Sequence, residues 1–88
     1  MVDVVKAKPM KGFRLFVRFS DGSEGIADLS KLAARKGPMV EPLKDPAFFE
    51  RVFIENGVPT WPNGYDYAPS ALYAEMRDAG ALHLAAAE

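Results

Sequence analysis

The chain has 88 residues, a formal net charge of −1 and no cysteine. This length fits one domain, close to the lower size at which a core folds without cross-links. The lack of cysteine excludes disulfides and thiolate metal sites, and the balanced charge excludes a global field that attracts nucleic acid or anionic lipid. The first ten residues have an acid at position 3 and no apolar run behind a basic cluster, which argues against a signal peptide, and no stretch approaches the roughly 20 apolar residues that span a bilayer. We therefore expect an unprocessed cytoplasmic protein.

Two strands are predicted in the first third of the chain. Residues 2–7 mix β-branched and charged side chains, and Pro9 just after them suits an edge strand. Residues 13–19 alternate, with large apolar side chains on one side, as in a strand with one buried face. The other side of that strand carries Arg14, Phe16 and Arg18.

A hairpin turn follows the second strand. Asp21 and Gly22 predict a type I′ turn, because this turn needs two residues with positive φ. A two-residue loop of this kind sets Val17 opposite Ile26. The sequence therefore predicts that Ile26 lies on the core face.

Three short helices are predicted, near residues 29–36, 46–51 and 69–79. Asp28 and Asp45 precede the first two as capping residues. Gly37 and Gly80 follow the first and third, where a left-handed residue commonly ends a helix. Residues 81–88 are expected to form a tail, and its two leucines favour docking.

A second hairpin is predicted at residues 53–58, where Asn56 and Gly57 form a strong turn signal between apolar residues. Together these elements predict a single α+β domain over residues 1–88. Its small antiparallel sheet is built from two hairpins, at about residues 2–28 and 52–61, with the three helices packed on it.

Several turn, cap and core residues recur in a characteristic order. They are Phe19, Asp21 and Gly22; Asp28 and Leu29; Leu43 and Phe48; and Trp61, Pro62, Gly64, Asp66, Leu72 and Tyr73. The series resembles the uncharacterised bacterial family DUF2442 over nearly the whole chain up to Gly80. The resemblance implies an α+β domain, fused in some members to a helix-turn-helix DNA-binding module. It also implies a gene often encoded beside another small protein, in pairs that look like toxin and antitoxin. These 88 residues are too few to add such a module, so DNA binding of that kind is not expected.

The segment WPNGYDYAPSALY, residues 61–73, contains the only tryptophan and all three tyrosines. One interpretation is a recognition groove, since aromatic side chains around one charge are typical of binding surfaces. The other is a turn, a cap and core packing. Tyr65, Asp66 and Tyr67 are the candidate partner contacts, because they fall in a loop between a strand and a helix.

Arg14, Phe16 and Arg18 form a second candidate, a nucleic-acid surface on the non-core face of the first hairpin. An aromatic ring between two guanidinium groups can stack on a base or contact phosphates. The predicted register places small residues beside them and leaves room for approach. These small residues are Ser23, Gly25 and Ala27. In the alternative interpretation the arginines shield Phe16, or a helix covers the face.

No arrangement of residues points to catalysis or to a cofactor. His83 has no second imidazole or thiol beside it to share a metal, the serines have no adjacent base, and the glycines do not form a phosphate-binding loop. We expect a non-catalytic interaction domain that binds a small protein partner, in its sharpest form an antitoxin. The alternative is a nucleic-acid-binding dimer that uses the Arg14 face, and homo-oligomers of other kinds stay open.

Overall fold

The computed structural model describes residues 2–84 and has the predicted α+β fold. In chain order the elements are β1 (Val4–Met10), β2 (Arg14–Phe19), β3 (Ser23–Asp28), a first 3₁₀ helix (Ser30–Ala34), a second 3₁₀ helix (Glu41–Lys44), α1 (Pro46–Phe49), β4 (Phe53–Glu55), β5 (Val58–Thr60), α2 (Pro69–Asp78) and β6 (His83–Leu84). A four-stranded antiparallel sheet has the order β1-β2-β3-β6, and β4 and β5 form a second, two-stranded sheet.

The loop between β2 and β3 has three residues, so the predicted type I′ turn is wrong. The Phe19 carbonyl accepts a hydrogen bond from the Gly22 amide at 3.0 Å, and Gly22 has a φ of +89° while Asp21 stays in the ordinary range. This is a type I turn followed by a left-handed glycine bulge. The Asp21 carboxylate stabilises it by accepting from the amide and the hydroxyl of Ser23, at 2.9 and 2.6 Å.

The extra loop residue changes the register by one, and a one-residue change moves side chains to the opposite face of a sheet. Ile26 lies opposite Phe16, whereas Val17 lies opposite Gly25. Ile26 is therefore on the outer face and 42% exposed. Its predicted place on the core face is wrong.

The second hairpin has the predicted turn. Asn56 and Gly57 have φ values of +51° and +79°, as a type I′ turn requires. The two hairpins do not share one sheet, however. The edge of β5 that faces away from β4 is covered by the segment around Tyr67, whose amide donates to the Pro59 carbonyl at 3.0 Å. The second hairpin contacts β1 through a backbone hydrogen bond from the Val4 amide to the Gly57 carbonyl, at 2.8 Å.

The helices occur where they are predicted, with one addition and one change of type. The segment predicted as a helix at residues 29–36 is a shorter 3₁₀ helix, and the Asp28 carboxylate accepts from the Ser30 amide at 2.9 Å. Asp45 caps α1 by accepting from the Ala47 amide at 3.1 Å. The second 3₁₀ helix was not predicted from the sequence.

The end of α2 directs the chain back to the sheet. Gly80 has a φ of +70°, its amide donates to the Arg77 carbonyl, and the Ala81 amide donates to the Met76 carbonyl at 2.8 Å. These bonds form a Schellman motif. The chain then pairs His83 with Glu24 at the outer edge of β3. The rest of the predicted tail, residues 85–88, lies outside the described residues.

The core lies between the inner face of the larger sheet and the helices. Trp61 is fully buried, and its indole N–H donates to the Phe49 carbonyl at 2.9 Å. The β2 side chains that face inward are almost fully buried. They are Leu15, Val17 and Phe19. Burial of this apolar surface is the main source of stability in so small a domain.

Candidate functional site

Tyr67, a predicted partner contact, lies in the interior. Its side chain is 5% exposed and its hydroxyl donates a hydrogen bond to the Glu75 carboxylate on α2. Burial, followed by the bond to Glu75, raises the pKa of the Tyr67 hydroxyl. Tyr67 therefore packs the loop onto α2 and presents no surface of its own.

The other two residues of this candidate differ from each other. Tyr65 is half-buried, its ring lies 6.0 Å from that of Trp61, and its hydroxyl accepts from the Arg35 guanidinium at 3.1 Å. Asp66 is exposed and pairs through its backbone with Thr60. The structure brings the three residues into one loop but leaves Asp66 as its exposed member.

Glu75 joins this loop to the first 3₁₀ helix. The Lys31 ammonium lies 2.8 Å from the Glu75 carboxylate, and the hydrogen bond to Glu75 raises the pKa of Lys31. Partial burial acts to raise the pKa of Glu75, but the bonds from Lys31 and Tyr67 outweigh it and the net shift is downward. The carboxylate therefore stays ionised and serves as a structural link.

The outer face of the four-stranded sheet is a second open surface. Because side chains alternate along a strand, the paired residues form rows across this face. The rows are Lys6, Arg18, Glu24 and His83; Lys8, Phe16 and Ile26; and Met10, Arg14 and Asp28. These side chains are exposed or half-buried, and no helix within residues 2–84 packs over them. We call this surface the outer sheet face.

The register changes the surroundings of the predicted nucleic-acid candidates. Arg14, Phe16 and Arg18 do share the outer sheet face. The small residues predicted beside them point into the core instead: Ser23, Gly25 and Ala27 are all buried. The actual neighbours on β3 are Asp28, Ile26 and Glu24.

Carboxylates balance part of the positive charge on this face. Arg18 is 2.7 Å from Glu24 and holds it as an ion pair. The pKa of Asp28 is lowered, chiefly by its hydrogen bond from Ser30, with a smaller contribution from the charge of Arg14. Four cations and two carboxylates leave the outer sheet face with an excess of two positive charges, on a chain whose formal charge is −1.

An apolar centre lies among these charges. Phe16 and Ile26 are adjacent in the middle row, and the Lys6 ammonium lies 5.9 Å from the centre of the Phe16 ring. A shallow depression of about 310 Å³ occupies this centre. Its lining residues are Lys6, Lys8, Met10, Phe16 and Ile26.

The sequence analysis did not place Lys6, Lys8 or Ile26 on this surface. The signal for Lys6 and Lys8 was their period of two within β1, which places both on one face. The signal for Ile26 was Ser23, because an Asp two residues before a Ser can bond the Ser amide and so favour a different turn.

Comparison with known proteins identifies one family. Residues 4–78 match the model of a family described as protein of unknown function, DUF2442. No match was found among curated proteins or among solved structures. Within residues 2–84, no helix is long and apolar enough to cross a membrane, and no cluster of His, Asp or Glu could hold a metal ion.

Proposed function

The chain belongs to the DUF2442 family, and we propose that it is a non-catalytic interaction domain that binds a protein partner on its outer sheet face. The observation that carries this proposal is the open apolar centre of Phe16 and Ile26 inside a ring of charges. Antiparallel sheets commonly have one solvated face, but that face is then usually polar throughout. Apolar side chains at the centre of a polar rim are typical of protein interfaces.

The charges specify the kind of partner. Lys6, Lys8 and Arg14 are exposed, whereas Arg18 is engaged by Glu24. A partner surface with apolar side chains flanked by carboxylates complements this arrangement, and such complementarity sets orientation and association rate. The finer form of the proposal is an antitoxin-like role with a small protein encoded beside this one. The family resemblance supports that form.

Co-expression with the product of the adjacent gene tests the proposal. We expect the two proteins to co-purify and Phe16→Ala to weaken the complex roughly ten-fold, as truncation of a central interface aromatic commonly does. Phe53→Ala is the matched control, because Phe53 is a solvent-accessible phenylalanine that lies in the second sheet. A neighbour that neither binds nor is toxic when expressed alone would exclude the antitoxin-like role. Equal effects of the two substitutions would exclude this face.

The second candidate function is nucleic-acid binding by the same face in a dimer. The four cations of the outer sheet face favour it, and the carboxylates of Glu24 and Asp28 oppose it by repelling phosphates. Retention on DNA or RNA at about 50 mM salt, lost in the Arg14→Ala/Arg18→Ala double variant but not in Arg51→Ala/Arg77→Ala, would support this function. No retention would exclude it.

A further inference from the structure

The edge of β3 that faces away from β2 carries backbone N–H and C=O groups, and β6 pairs with only some of them. In an antiparallel pair, alternate residues direct both backbone groups to the same neighbour. The Leu29 amide donates to the Phe13 carbonyl at 2.9 Å, which continues the β2 ladder. Odd-numbered residues of β3 therefore bond β2, and the backbone groups of Glu24, Ile26 and Asp28 point to the opposite edge.

The strand β6 covers only the first of these three residues. His83 pairs with Glu24, and the β3–β6 ladder does not continue to Ile26. Just before β6, the Ala81 carbonyl oxygen lies against Gly25, 1.9 Å from the position that a Cβ would occupy. Among residues 2–84, no backbone bond outside the strand ladders involves Ile26 or Asp28.

A groove runs along this uncovered part of the edge. It has a volume of about 350 Å³ and separates β3 from α2. Its lining includes four consecutive residues, Ile26 to Leu29, whose side chains alternate between the faces of the sheet. A groove can contact side chains on both faces of the sheet only if it runs along the edge of the strand. Leu29, Leu72 and Met76 are buried beneath it, and Lys31 and Glu75 lie on its wall.

We propose that this groove binds an extended segment of a protein partner, which adds to β3 as a strand beside α2. The inference rests on the proposed function, since it specifies how a protein partner is held, but it uses the strand edge rather than the outer sheet face. Main-chain bonds to Ile26 and Asp28 supply affinity in this recognition mode, and pockets for alternate side chains supply specificity. The apolar floor selects small or aliphatic side chains at every second position of the segment.

The existing β6 ladder is the reason to expect a strand rather than a helix or a small molecule. It shows that the same edge accepts an extended chain at Glu24. Ile26 is the next residue of β3 whose backbone groups point to that edge. Ile26 and Asp28 together offer two donors and two acceptors, which fits a core of about four residues in the bound segment. So short a ladder gives modest affinity, as in transient complexes.

The test removes one backbone donor, and a matched control variant measures the effect of losing the side chain alone. Ile26→Pro deletes an amide that faces away from β2, a position where an edge strand tolerates proline. Ile26→Ala truncates the same side chain and keeps the amide. The probe is a phage-displayed library of random twelve-residue peptides selected on the immobilised full chain. We expect selected peptides to alternate apolar and polar residues and to lose at least ten-fold more affinity to Ile26→Pro than to Ile26→Ala.

Thermal unfolding confirms that each variant folds, and amide hydrogen exchange of the unmodified chain provides a second measurement. Adding a selected peptide should slow exchange at Ile26 and Asp28 and leave Phe16 unchanged. Failure to select peptides, equal binding to both variants, or protection centred on Phe16 would overturn the inference. The proposed function is tested separately by the adjacent gene product and Phe16→Ala, so a failure of one is distinguishable from a failure of the other.

Discussion

The two faces of β2 differ in burial although they alternate along the same six residues. Phe19 points inward and is 1% exposed, whereas Phe16 points outward into an open apolar depression. The inward face is covered by helices and by the segment that contains Trp61. Within residues 2–84, no other element covers the outward face. One strand therefore supplies both the core and the proposed binding surface, and register alone decides which residue serves which purpose.

Substitution of the two phenylalanines of β2 should show the difference between its faces most clearly. Phe19→Ala should lower the free energy of unfolding by about 3–5 kcal/mol, because it removes a fully buried ring that packs on Tyr73. Phe16→Ala should cost less than about 1 kcal/mol, since the ring is already partly solvated. Urea unfolding of both variants measures the difference. Similar losses in the two variants would contradict the assignment of the faces.

Adding a methyl group to the core face should have the next largest effect. A Cβ on Gly25 would lie 1.9 Å from the Ala81 carbonyl oxygen, so Gly25→Ala must displace the segment before β6 and should cost about 1–3 kcal/mol. Gly22→Ala is the control, because Gly22 has open space around it and a strained φ instead. Amide exchange at His83 should accelerate in Gly25→Ala alone. Unchanged exchange there would show that β6 does not depend on the absence of a side chain at Gly25.

The loop that sets the register should respond to acid. The hydroxyl and amide of Ser23 lower the pKa of Asp21, with a further contribution from the Tyr73 hydroxyl at 2.8 Å. A carboxyl whose pKa is lower in the folded state stabilises the protein above its unfolded pKa of about 3.9. That contribution disappears as the pH falls through the folded value. Asp21→Asn should therefore flatten the acid limb of stability against pH. An unaltered limb would contradict a role for this carboxylate.

The smallest expected effect is on the outer sheet face. Arg18→Ala breaks the ion pair with Glu24 but should change stability by less than about 1 kcal/mol, because the Arg18 side chain is 42% exposed and surface pairs contribute little. Urea unfolding in low and high salt measures it. A loss comparable to that of Phe19→Ala would mean that this face is structural and not reserved for binding.

Much of the fold follows from local signals. The alternation in β2 predicts its inward residues, and the pair Asn56 and Gly57 predicts its own turn, because each signal involves neighbours in sequence. The pair Asp21 and Gly22 misleads for a physical reason. The Asp21 carboxylate accepts hydrogen bonds from the amide and the hydroxyl of Ser23, and these bonds stabilise a three-residue loop in which Asp21 does not have a positive φ.

The candidate site was less predictable because it depends on contacts between distant segments. Tyr67 looks like a loop residue in the sequence, but its burial is set by Glu75 on α2 and by the pairing of its amide with β5. The outer sheet face combines β1, β2 and β3, so its charge balance requires the register. The groove beside β3 requires, in addition, the path of the chain after Gly80.

The three-residue loop at 20–22 has an evolutionary consequence. A relative that gained or lost a single residue there would exchange the inside and outside of its return strand, and would carry Ile26 into the core while exposing glycine and alanine. Length variation should therefore be rare in this loop, or should occur in steps of two. The connection between the two 3₁₀ helices does not set the register of a strand, so its length is free to vary by single residues. An alignment of family members would show this as gaps that avoid one turn and accumulate in the other.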